Sequence, residues 1–166
     1  MGVLIDIQNV SKNFGGLNAV ANVSFTVEER SIVGLIGSNG AGKTTLFNVI
    51  SGVYHPSGGK ILYKGEDITG CKTYTYSARG IARTFQNMKP LEGMSVLDNV
   101  ISGAFYGRSR CKSIREARAL ALNILQFTGL YRQKDTLPSS LGTPYKKRLE
   151  VARALATKPE ILLLDE

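Results

Sequence analysis

Residues 34–46 read Gly-Leu-Ile-Gly-Ser-Asn-Gly-Ala-Gly-Lys-Thr-Thr-Leu, with four glycines and one lysine in a short space. An apolar run, residues 32–36, precedes them, and residues 44–50 follow with helical character. Few folds place so much backbone freedom between a strand and a helix. One that does turns successive N–H groups inward at the positive end of the helix, making a nest for anionic oxygens. The stretch therefore points to an α/β chain with an anion site at one helix start.

The residues at 37–44 fit G-x-x-x-x-G-K-[ST], the P-loop pattern of phosphate-binding proteins. In that pattern the backbone of Gly37, Ser38, Asn39, Gly40, Ala41 and Gly42 cradles phosphate oxygens. Lys43 neutralises the outer phosphates, Thr44 offers a hydroxyl to magnesium, and Thr45 is a further nucleotide-binding residue. An Asn-Lys-x-Asp element that would read guanine is absent; Arg132-Gln-Lys-Asp135 does not match it. At the other end, residues 161–164 are wholly apolar and run into Asp165-Glu166. A buried parallel strand there would deliver Asp165 to the magnesium shell, and Glu166 could orient or deprotonate a water.

Between these elements the pattern alternates. Residues 4–10 and 23–27 have strand periodicity, 60–63 a short strand, and 81–85 another. Helices are expected at 96–104, at 113–127 and at 149–156, the second opened by Ser113 and Glu116 as a capping box. Hydrophobic residues at 43% and charged residues at 20% suit a globular domain, and no apolar run approaches the roughly 18 residues of a membrane span. Cys71 and Cys111 lack metal-ligand spacing and are expected as free thiols. The net charge of +8 leaves nucleic acid, anionic lipid or a phosphorylated ligand open, but no aromatic-interleaved basic platform accompanies it.

With the loop and the terminal strand placed, nearly the whole chain resembles the ATP-binding subunits of ABC transporters. The residues 83–87, Arg-Thr-Phe-Gln-Asn, are similar to the family's Q-loop, which implies that Gln86 contacts magnesium and the attacking water. Phe14 matches the aromatic that stacks on adenine. Residues 141–155 occupy the place of the signature motif, usually Leu-Ser-Gly-Gly-Gln, and their helical half fits. Their first half departs: Gly142 replaces the serine, Thr143 and Pro144 replace the glycines, and Pro144 has no N–H to offer a phosphate. Residues 9–17, 46–52, 81–87 and 94–100 look like the branched-chain amino-acid importers, with importers of amides and urea similar.

The resemblance implies a RecA-like P-loop NTPase core (about 1–86 and 157–166), with an N-terminal antiparallel β subdomain and an inserted helical subdomain at about 87–156. ATP and Mg2+ are the expected cofactors; Glu166, Gln86 and Lys43 the catalytic residues; Thr44, Gln86 and Asp165 the metal ligands. Expected partners are a second ATPase subunit, identical or different, transmembrane permease subunits and, indirectly, a solute-binding protein, with no direct nucleic acid. The expected location is cytoplasmic, peripheral on the inner face of the membrane. Because family members continue past the equivalent of Glu166, the chain is expected to be a piece of a longer subunit, lacking the C-terminal part of the core and hydrolysing ATP negligibly by itself. Two other readings stay open: a soluble ABC ATPase acting on nucleic acid or ribosomes, and a nucleotide-binding regulatory module with little hydrolysis.

Overall fold

The first half of the chain forms a sheet because its apolar residues alternate and its turns fall on glycine. Strands β1 (Val3–Phe14) and β2 (Leu17–Glu28) make a long antiparallel hairpin through Gly15, whose φ is +55°. β3 (Gly58–Tyr63) pairs with the free side of β1, and β4 (Glu66–Asp67) with β3, giving the order β2-β1-β3-β4. The computed structural model describes residues 2–84, 90–108 and 111–165. The described chain forms two compact units, Met1–Tyr76 and Ser77–Glu166.

Within the first unit, Ile5, Ile7, Val10 and Ile61 are buried on the sheet, and helix α1 (Lys43–Ile50) buries Leu46, Val49 and Ile50. Ile5 and Ile7 keep the period of two, but Val10 falls out of phase with them. A bulge restores it: Asn9 has φ +49°, and the pairing to β2 shifts between Ile7 and Val10. Each fully buried aliphatic side chain contributes roughly 1.5–3 kcal/mol relative to exposure. Tyr76, in α2 (Thr73–Arg79), is buried and its hydroxyl donates to the Ile68 carbonyl at 2.7 Å. Its ring lies where a Cβ on Gly52 would stand, at 2.4 Å, so only glycine fits there.

In the second unit, β5 (Ile81–Arg83) and β6 (Ile161–Leu163) form a parallel pair, as the apolar run at the end of the chain leads one to expect. Around a separate apolar core pack α3 (Val96–Tyr106), α4 (Ile114–Phe127) and α5 (Thr143–Ala156). Val96, Val100, Ala117, Ala121, Leu125 and Leu149 are wholly enclosed in it. Gly103 lets α3 approach α5, since a Cβ there would meet the Arg153 carbonyl oxygen at 2.5 Å.

Two expectations need correction. Residues 32–36 are no strand: they join neither sheet, and Ile32 and Ile36 are 102% and 95% exposed. A strand exists only through a neighbour's hydrogen bonds, and residues 32–36 pair with no strand among the described residues. The helix expected at 149–156 starts six residues earlier, at Thr143, because Pro144 lies in the first turn, where a missing N–H costs nothing.

Candidate functional site

The glycine loop ends on α1, and its shape follows from two glycines in the left-handed region. Gly40 has φ +81° and Gly42 +85°. Gly42 is the residue before the helix, and a Cβ on it would sit 2.2 Å from the Ala19 carbonyl oxygen. No other residue fits without moving β2. α1 has no side-chain cap; its first ladder bond runs from the Leu46 N–H to the Gly42 carbonyl at 2.8 Å. Its remaining first-turn N–H groups carry the helix's positive end toward the loop.

Lys43 folds back over this loop. Its ammonium donates to the carbonyls of Gly37 at 2.7 Å and Ser38 at 2.8 Å. Ser38 also accepts from the Ala41 N–H at 3.2 Å, so the lysine braces the loop around its turn. Thr44 and Thr45 are half-buried in the first turn of α1, while residues 37–41 are exposed.

Phe14, at the end of β1, is 43% exposed, as a residue offering a ring face must be. Tyr54 packs edge-on against it, ring centroids 5.3 Å apart at 78°, and the Lys12 ammonium lies 5.1 Å from the Phe14 centroid. Lys12 is held by the His55 carbonyl at 2.8 Å. Lys12 lies two residues before Phe14 on β1 and so shares its face, whereas nothing local in the sequence signals Tyr54, 40 positions away.

Asp165 belongs to the second unit. The Thr84 N–H donates to the Leu163 carbonyl at 3.0 Å, and the Asp165 N–H to the Thr84 hydroxyl at 3.3 Å, so the backbone of both strands fixes the aspartate. Asp165 is 6% exposed, and its Oδ2 accepts from Arg83 Nη2 at 2.9 Å. The carboxylate is therefore buried and already paired. Gln86 and Glu166 lie outside the described residues. Beside Thr84 and Leu164 opens a cavity of about 400 Å³, also walled by Val151 and Arg148.

The altered signature forms the start of α5. Gly142 precedes the helix in an extended conformation, with no side-chain cap. The N–H groups of Tyr145 and Lys146 both donate to the Gly142 carbonyl, at 3.0 and 3.1 Å. Pro144 has none to give. This helix start is thus poorer in available donors than that of α1.

Thr44 in the first unit carries a hydroxyl and Asp165 in the second a carboxylate, each a hard oxygen donor of the kind Mg2+ takes, and no cluster of three His, Cys, Asp or Glu side chains occurs among the described residues. A hard cation that keeps several waters and takes further oxygens from phosphate needs only such a sparse set.

Residues 20–166 match the family described as ABC transporter, and the chain belongs to it. ATP with Mg2+ is the cofactor pair of these ATPases, and the fold is that of their cassettes. The chain is 37% identical to the branched-chain amino acid transport ATP-binding protein LivG of Escherichia coli K12, covering 98% of this chain and 69% of that protein. It is 35% identical to BraF of Pseudomonas aeruginosa over the same shares. Among solved structures, a nucleotide-free ATP-binding cassette from an ABC transporter superimposes with a TM-score of 0.85 at 31% identity, covering 99% of this chain and 69% of that one. A dimeric bacterial ABC transporter cassette gives a TM-score of 0.90 at 27% identity, over 98% and 74%.

Proposed function

We propose that the chain is the ATP-hydrolysing part of an importer of branched-chain amino acids or related small polar solutes. The geometric observation that carries ATP binding is the Lys43-braced loop on an uncapped α1. Support for the cargo is the identity, over nearly the whole chain, to LivG and BraF, which bear that transport in their names.

In this reading Phe14 stacks on the adenine. Loop N–H groups from Gly37 to Gly42, with the first turn of α1 and Thr45, bind the β- and γ-phosphate oxygens. Lys43 gives up the Gly37 and Ser38 carbonyls for those oxygens. Thr44, Gln86 and Asp165 would hold Mg2+, which would draw charge off the phosphates. Glu166 orients the attacking water, with Gln86 beside it. A second cassette would close over the nucleotide with its signature, and permease subunits would carry the motion across the membrane, fed by a solute-binding protein. In this reading the chain sits peripherally on the cytoplasmic face of the membrane. Among the described residues no helix is long and apolar enough to cross a membrane. In the same reading residues at about 87–156 are the inserted helical subdomain, and those between Gln86 and about Leu125 form the face toward the permease.

The test is uptake of labelled leucine in cells expressing the protein with the permease and binding-protein genes that neighbour its own. Leucine uptake that Lys43→Ala abolishes supports the reading. Robust ATPase activity with no permease partner, and co-purification with RNA, would favour the soluble alternative.

A further inference from the structure

Arg83 belongs to the Arg-Thr-Phe-Gln string, yet the proposed chemistry gives it no task. In the β5–β6 pair Arg83 stands opposite Leu163. Residues two apart on a strand share a face, so Asp165 lies diagonal to Arg83 on the side Arg83 points to. The contact is short and dry: Nη2 to Oδ2 is 2.9 Å, and both side chains are 6% exposed. Arg83 Nε also donates to the Thr84 carbonyl at 3.2 Å, which fixes the guanidinium from its own strand.

Charges this deep are costly singly and tolerable together. We propose that Arg83 is the built-in counter-ion of Asp165 and a positioning residue for it. The guanidinium neutralises and orients the carboxylate when no cation is bound, and thereby limits how strongly Asp165 attracts a divalent cation. This rests on the reading of Asp165 as a magnesium ligand. Two consequences have opposite signs. Without Arg83 the cation-free protein is weakened, because a buried carboxylate is left unpaired. For the same reason that carboxylate gains more from an arriving cation, since a fixed positive charge no longer opposes it.

The experiment compares wild type, Arg83→Met, Arg83→Lys, Asp165→Asn and the Met/Asn double variant, in the purified protein. Two quantities are read: the unfolding midpoint in ATP with chelator, and Mn2+ affinity in the presence of ATP by electron paramagnetic resonance. Arg83→Met should unfold earlier in chelator and bind Mn2+ more tightly, on the order of tenfold. Arg83→Lys should stay near wild type in both. The double variant should recover stability over Arg83→Met, because neither charge is left alone. Unchanged or weaker Mn2+ binding by Arg83→Met, or a double variant no more stable than Arg83→Met, overturns the inference. If Asp165→Asn leaves Mn2+ affinity untouched, the ligand reading itself fails and the inference with it. If Asp165→Asn weakens Mn2+ while Arg83→Met does not strengthen it, the inference fails alone.

Discussion

Two pairs of helices begin in opposite ways. α3 and α4 start on serines: Ser95 Oγ accepts from the Asp98 N–H at 3.0 Å, and Ser113 Oγ from the Glu116 N–H at 3.2 Å. α1 and α5 start on Gly42 and Gly142, and neither has a side-chain cap. A serine cap is worth about 1 kcal/mol, so an uncapped start is a loss unless something else takes the N–H groups. For α1 the proposed partner is phosphate, and residues 37–41 of its loop are exposed. In α5 the Tyr145 N–H has already turned to Gly142, and Pro144 lacks an N–H. Capped starts hold the helical core together; the α1 start is open, as the proposed anion site requires, and the α5 start is half closed.

The variants that break this contrast rank by size. Lys43→Ala removes the charge over the loop and should lower ATP hydrolysis by on the order of 10²- to 10³-fold, read as phosphate release in the assembled transporter. Leu125→Ala, in the core that α3 and α4 share, should cost about 2–5 kcal/mol in a denaturant titration without loosening nucleotide binding by the loop. Ser113→Ala should cost about 1 kcal/mol and leave ATP affinity unchanged, whereas equal losses of affinity and stability would erase the distinction between the two kinds of start. Gly142→Ser adds a cap to α5 and should raise stability by only a few tenths of a kcal/mol.

The smallest effect is at β4. The Thr69 hydroxyl and N–H hydrogen-bond to Asp67 and hold its carboxyl below the usual range. A carboxyl depressed in the folded state stabilises above its unfolded value and loses that contribution as pH falls through the folded one. Asp67→Asn should therefore lower the unfolding midpoint slightly at neutral pH, with the gap closing in acid. A gap that widens in acid would contradict the assignment.

Local chemistry was legible in the sequence, and long-range pairing was not. The glycine loop, the Ser113–Glu116 box and the apolar strand before Asp165 each carry their signal within a few residues. Even there one detail shifted: Glu116 accepts from the Lys112 N–H at 3.0 Å, one residue before the box pattern places it. Tyr54 beside Phe14 and Arg83 beside Asp165 are contacts across 40 and 82 positions, set by sheet register, which no local pattern encodes. Residues 32–36 show the converse failure. Their composition suits a strand, but composition cannot supply the neighbour that makes one. α2 escaped notice because Thr73-Tyr-Thr-Tyr has weak helix propensity; Tyr76 packing against Gly52 overrides it.

The central claim is that the open start of α1, braced by Lys43, is the phosphate site. Equilibrium binding of a fluorescent ATP analogue to the purified protein tests it most directly, with wild type, Lys43→Ala and Ser113→Ala side by side. The account predicts saturable, ATP-displaceable binding that Lys43→Ala abolishes and Ser113→Ala leaves intact. Binding that survives Lys43→Ala unchanged, or falls equally in both variants, would contradict it.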